Sequence, residues 1–176
     1  ISMSFGGYYD SADEYQNGST EALAIADAAN AGIVLVGAQG NDCTETASVY
    51  PAASESVIAV SSVDSTMKLS SFSNFGSSVE LSAPGTEINS STFDGGYASM
   101  SGTSMATPFV AACAALVKTE DVHRSAASIR QILRNSSTDL GDVGWDKYFG
   151  YGCVNVADLI ETDYVARIGT RGYESF

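Results

Sequence analysis

Ser19-Thr20-Glu21-Ala22-Leu23-Ala24-Ile25-Ala26-Asp27-Ala28-Ala29-Asn30-Ala31-Gly32-Ile33-Val34-Leu35-Val36 is the stretch that decides the fold class. Ser19 or Thr20 can cap a helix, because a hydroxyl there accepts a hydrogen bond from an otherwise unpaired first-turn amide. Ala22, Leu23, Ile25, Ala26 and Ala29 carry that helix through Ala31, and Gly32 supplies its C-terminal stop. The branched run Ile33-Val34-Leu35-Val36 follows at once, the pattern of a strand buried on both faces. With Ile1-Ser2-Met3-Ser4 as an earlier short strand, residues 1–38 read as a βαβ unit with parallel pairing. The expected class is α/β.

Outward from this unit the alternation continues. Val57-Ile58-Ala59-Val60 is a second buried run, and shorter strands are expected near Val79–Leu81 and Glu87–Ser90. Between them Ala83-Pro84-Gly85 reads as a type II turn, with proline pre-setting φ and Gly85 supplying a positive φ. The stretch from about Ser104 to Lys118 is apolar on all sides, which predicts a central buried helix with Pro108 near its start. Ile129, Ile132 and Leu133 give a second, amphipathic helix. The tail from Tyr164 to Phe176 has no clear period, and no repeat or internal linker divides the chain.

With 176 residues and 44% apolar composition, one domain with a real core is the default. Eight Lys and Arg against 21 Asp and Glu give a net charge of −13, which opposes binding to nucleic acid or anionic membranes. No apolar run approaches the roughly 20 residues of a membrane span. Cys43, Cys113 and Cys153 lack the close spacing of a zinc site, and their pairing is open. Cys113, in an apolar helical run, is expected to be buried. Ile1 opens the chain without an initiator methionine, as in a fragment or processed product.

Chemistry concentrates at Gly102-Thr103-Ser104-Met105-Ala106-Thr107-Pro108. Ser104, between a glycine and a helix, sits where first-turn amides and the positive dipole end favour developing negative charge. A serine nucleophile needs a neighbouring base. The single histidine, His123, lies beyond a helix whose rise of about 1.5 Å per residue places its far end roughly 20 Å from Ser104. Asn41, after Gly40 at the end of a central strand, stands where ligand sites of open α/β sheets lie. Taken alone, Ser104 reads better as a helix cap and Asn41 better as a turn residue than as catalytic groups.

Six segments in order resemble the subtilisin-like serine peptidases, or subtilases, the peptidase S8 family. They are Ser4-Phe5-Gly6-Gly7, Gly40-Asn41, Phe72-Ser73-Asn74-Phe75-Gly76, Ala83-Pro84-Gly85, the Ser104 motif and Gly150-Tyr151-Gly152-Cys153-Val154-Asn155-Val156. The resemblance covers residues 1 to about 157 and implies the C-terminal part of a catalytic domain with a three-layer fold and a mostly parallel central sheet, lacking the N-terminal strands. Residues 1–162 are assigned to this domain and 163–176 to an extension of unknown structure.

The resemblance implies Ser104 as nucleophile and Asn41 as oxyanion donor. It implies that Ser4, Phe5 and Gly6 pair with an extended substrate, and that Ala38, Gln39 and Gly40 form the opposite wall of the specificity pocket. Gly102 and Thr103, immediately before the serine, are further substrate-binding residues, and Val49, where subtilases often have glycine, shortens the pocket floor. The family's catalytic Asp and His precede this chain's first residue, so activity would need an N-terminal segment, joined or as a cleaved partner. Phe109 replaces a second, non-catalytic histidine of many members. No cofactor is expected for the chemistry. Calcium is a structural option, with a weaker site at the carbonyls of Ala52, Ser54 and Val57 and the Glu80 carboxylate. The expected partners are a polypeptide substrate and an inhibitory pro-segment, and the expected location is secreted or at the cell surface. A second class of function stays open: a non-catalytic peptide-binding or assembly fragment.

Overall fold

The computed structural model describes residues 1–159. Its elements are β1 (Ser2–Met3), β2 (Gly7–Tyr8), α1 (Ala12–Gly18), α2 (Thr20–Asn30), β3 (Leu35–Ala38), β4 (Val49–Tyr50), β5 (Val57–Val63), β6 (Val79–Pro84), β7 (Ile88–Ser91), β8 (Tyr97–Met100), α3 (Thr103–Glu120) and α4 (Ala126–Asn135). The central sheet runs β1-β3-β5-β6 with every neighbouring pair parallel, and β2-β4 and β7-β8 form two antiparallel ribbons.

Ser19 caps α2, its Oγ accepting from Glu21 N at 3.1 Å and Ala22 N at 3.4 Å. The strands then alternate across the sheet with period two. Leu35 and Val57 pack with Ile25 of α2 and Met3 of β1 in a small cluster. Val36, Ile58, Val60 and Leu81 face the other way, against Ala106, Val110, Cys113 and Val117 of α3, with Ile129 and Leu133 of α4 behind them. Each such side chain removed from water contributes about 1.5–3 kcal/mol, so the three layers hold because both faces of the sheet are covered.

Several boundaries differ from the sequence reading. β3 begins at Leu35 because Ile33 N still donates to Ala28 O, at 3.1 Å, on leaving the helix. Ala83-Pro84-Gly85 is not a turn: β6 runs through Pro84, and Gly85 N donates to Val63 O at 3.0 Å while Gly85 O accepts from Gly102 N at 2.8 Å. Gly85 has no positive φ. It is glycine for space, since a Cβ there would lie 2.3 Å from Ser62 Oγ. Nor is α3 buried all round: Phe109 and Leu116 are 41% and 45% exposed, on the side away from the sheet. The sequence reading missed α1, β2, β4 and β8. Cys113 and Cys153 are buried, Cys43 is exposed, and all three are free thiols. The assigned extension 163–176 lies outside the described residues.

Candidate active site

Gly102, in extended backbone, opens α3, and Ser104 sits in its first turn. Pro108 has no amide hydrogen, so the Ser104 carbonyl one turn earlier has no helical donor. Ser4 Oγ supplies one, donating to Ser104 O at 2.7 Å, while Ser104 Oγ donates back to Ser4 O at 3.2 Å. The chain just after β1 and the serine are therefore tied reciprocally. The tie exists because a proline interrupts the helix ladder.

Asn41 reaches the same point from the end of β3. Thr103, fully buried, donates to Asn41 Oδ1 from its backbone N at 2.8 Å and from Oγ1 at 3.0 Å, and its Oγ1 accepts from Gly40 N at 3.1 Å. Asn41 thus caps an orphan first-turn amide of α3 from a distant loop. With its Oδ1 engaged, the amide orientation is fixed and the Nδ2 group has no partner among the described residues. The Ser104 backbone amide is likewise unspent. Two donors and one hydroxyl meet at one cleft.

That cleft, about 230 Å³, is lined by Phe5, Gly6, Ala38, Gly40, Asn41 and Val49 together with Thr103 and Ser104. Val49, on β4, pairs with Tyr8 on β2. Its Cγ1 lies 3.0 Å from where a Cβ on Gly6 would be, and its Cγ2 3.6 Å from the equivalent point on Gly40. The valine therefore occupies the space between both walls. Tyr8 and Asp42 also line the cleft, and Tyr8 OH donates to Asp42 Oδ2 at 2.7 Å. Burial, reinforced by the hydrogen bond to Asp42, holds the Tyr8 hydroxyl above the usual phenol range. The sequence reading missed both residues. Asp42 was discoverable by adjacency to Asn41, but Tyr8 lies in a two-residue strand with no periodic signal.

Other candidates fall elsewhere. Gln39 is fully buried with its side chain turned away from the wall, donating to Thr46 O at 3.0 Å and bonding Ser78 Oγ at 2.9 Å. His123 follows the end of α3, whose 18 residues span about 27 Å, so it cannot serve Ser104. The Glu80 carboxylate accepts from Arg130 Nε at 2.7 Å and Arg134 Nε at 2.8 Å. Arg130 also donates to Glu55 O at 2.6 Å and Val57 O at 3.3 Å. Of the groups considered for a weak cation site, Glu80 and Val57 both face a guanidinium, and Ser54 O accepts from Val57 N at 2.9 Å. The positive charge in this place is an arginine.

The sequence model of the Subtilase family matches residues 1–152. This chain belongs to the subtilase family. Among curated relatives, it is 43% identical over 136 residues to the minor extracellular protease Epr of Bacillus subtilis (strain 168), covering 77% of this chain and 21% of that protein. It is 44% identical over 137 residues to a thermostable alkaline protease of Halalkalibacterium halodurans, covering 78% and 37%. To subtilisin DY of Bacillus licheniformis it is 40% identical over 160 residues, covering 89% and 54%. A crystal structure of a lanthipeptide protease superposes with a TM-score of 0.78 at 26% identity, covering 92% of this chain and 60% of that one. This subtilase chain thus spans about half or less of the length of these curated relatives. Among the described residues no helix is long and apolar enough to cross a membrane.

Proposed function

We propose that this chain forms part of the catalytic domain of a secreted or cell-surface serine endopeptidase, with Ser104 as nucleophile and Asn41 as side-chain donor to the oxyanion. The observation that carries the reading is the pair of unspent donors, Asn41 Nδ2 and Ser104 N–H, beside an accessible serine hydroxyl. Ser104 Oγ adds to the scissile carbonyl carbon and gives its proton to a general base. The carbonyl oxygen, now charged, accepts hydrogen bonds from the two donors. Collapse expels the amine, which takes the proton, and water then hydrolyses the ester on Ser104.

The base and its orienting carboxylate come from an N-terminal segment, joined or separate. Substrate backbone runs along Ser4, Phe5 and Gly6, opposite Ala38 and Gly40. The residue before the scissile bond enters the cleft above Val49. No cofactor takes part in this chemistry.

A serine-directed fluorophosphonate tests the proposal. With the N-terminal segment present, the label should be found on Ser104 by mass spectrometry, and the isolated chain should hydrolyse peptides negligibly. Asn41→Ala should lower kcat about 10²–10³-fold with KM nearly unchanged, the loss established for the corresponding donor of a subtilisin. Labelling of the isolated chain that is lost on His123→Ala would overturn the geometry. A complete protein that stays unlabelled would make the site a non-catalytic peptide-binding cleft.

A further inference from the structure

Asn74 lies in the loop between β5 and β6 and is fully buried. An asparagine side chain offers two acceptor lone pairs and two donor hydrogens. Here all four are used, on partners in the active-site loop and its wall. Oδ1 accepts from Asp42 N at 2.8 Å and Thr44 N at 3.2 Å. Nδ2 donates to Gln39 O at 3.2 Å and Tyr8 OH at 2.9 Å. The Asn74 backbone N adds a fifth bond, to Gly40 O at 3.0 Å. Because two backbone amides face one end of the side chain and a carbonyl faces the other, its orientation is dictated by its partners.

These partners bracket Asn41 on both sides without including it. Residues 39, 40, 42 and 44 are all fastened to Asn74, so the loop wraps around this one amide and Asn41 projects outward from the wrap. Gly40 shows how closely: its φ is 103°, and a Cβ there would lie 2.4 Å from Asn74 Nδ2. Only glycine both adopts that backbone and admits that approach. Asn41 is thus held by two independent restraints, its side-chain carbonyl by Thr103 and its main chain by Asn74.

We infer that Asn74 is a positioning residue for the oxyanion donor, an assignment that rests on the reading of Asn41 given above. Removing the Asn74 amide strips partners from Asp42 N, Thr44 N and Gln39 O at once. The loop then relaxes toward water, and Asn41 Nδ2 leaves the place where it meets developing charge. A donor used only in the transition state costs kcat, not KM, when it drifts.

The test is a double-mutant cycle in the complete protease, with kcat and KM on a peptide p-nitroanilide for Asn74→Ala, Asn74→Asp, Asn41→Ala and the two combinations. Asn74→Ala should lower kcat by about 10-fold or more, bounded by the 10²–10³ of losing the donor outright, with KM within about threefold. In the Asn41→Ala background the same substitution should change kcat less than about threefold, because no donor remains to be misplaced. Asn74→Asp keeps the shape and the Oδ1 acceptor but loses the Nδ2 donations to Gln39 O and to Tyr8 OH. It should repeat the alanine pattern, a kcat loss of about 10-fold with Asn41 present and less than about threefold in the Asn41→Ala background, and serves where the alanine variant does not fold. Equal kcat losses with and without Asn41, or a loss confined to KM, would overturn the inference. If Asn41→Ala alone leaves kcat intact, the reading of Asn41 fails first and this assignment falls with it.

Discussion

In the proposed reading of the cleft as the pocket for the residue before the scissile bond, Val49→Gly should shift its preference from a small side chain to an aromatic ring. The valine methyls stand between Gly6 and Gly40, so the floor is set by three carbon atoms that glycine lacks. In a cleft of about 230 Å³ that Ser104 helps to line, a benzyl group meets Cγ1 and Cγ2 before its ring is covered. Burying an aromatic side chain removes about 150–250 Å² from water. At about 25 cal/mol per Å² the ceiling is about 4–6 kcal/mol. About half is realised against walls open on one side, which is close to 10²-fold in rate.

The assay is the ratio of kcat/KM for two tetrapeptide p-nitroanilides that differ only in Phe or Ala at the last position. Taking the ratio cancels any loss of folded enzyme caused by glycine in β4, since both substrates sample the same protein. The Phe/Ala ratio should rise about 10²-fold, mainly through the Phe substrate. A ratio that stays within about threefold would show that Val49 does not form the floor and that the specificity argument is mistaken.

Glu80→Gln should destabilise the complete protein by about 2–3 kcal/mol, below the 3–5 expected when a fully buried pair loses one partner, because both arginines are about a quarter exposed. The denaturant midpoint checks this, and added calcium should not restore it, since the Val57 carbonyl already accepts from Arg130 and the substituted amide carries no charge. Ser4→Ala leaves the Ser104 carbonyl to water in place of its donor and should cost about 0.5–1.5 kcal/mol, divided between stability and kcat, read from parallel melting and kinetic measurements. Native-state alkylation should modify Cys43 alone, with Cys113 and Cys153 reacting only on unfolding, as peptide mapping would show. Burial pushes the Cys153 thiol up to about 11. The unfolded chain then loses this proton first, and the Cys153 contribution to stability falls as pH rises from about 8.5 to 11. A Cys153→Ala variant should show a shallower decline of Tm over that window.

The layers were legible in the sequence because they depend on periodicity. The Ser19 cap, the β3 run and the α3 apolar stretch each follow from local pattern, and each appears within a few residues of its expected place. Partner choice was less legible. Gly85 looked like a turn residue because Pro-Gly is a turn signal, whereas its glycine is required by Ser62, 23 positions away in sequence. Val49, Asn41 and Ser104 were named from resemblance to a family. Tyr8, Asp42 and Asn74 were not named as site residues, since their roles consist of bonds to one another across separate segments. A single sequence carries no local trace of such bonds.

Pro108 shows how a local rule acquires meaning only in three dimensions. In sequence it is a helix irregularity tolerated near an N-terminus, with the prediction of a kink if it lay deeper. In the fold its missing amide frees the Ser104 carbonyl, and the freed carbonyl accepts from Ser4, a hundred residues earlier. The returning bond from Ser104 Oγ to Ser4 O then places the proposed nucleophile against the segment proposed to hold substrate. One absent hydrogen on α3 therefore joins the serine to the cleft wall, while Thr103, its helical neighbour, joins Asn41 to the same turn. The first turn of α3 is the junction at which the proposed nucleophile, donor and wall are fixed relative to one another. Its geometry depends on side chains from two loops that the sequence alone keeps apart.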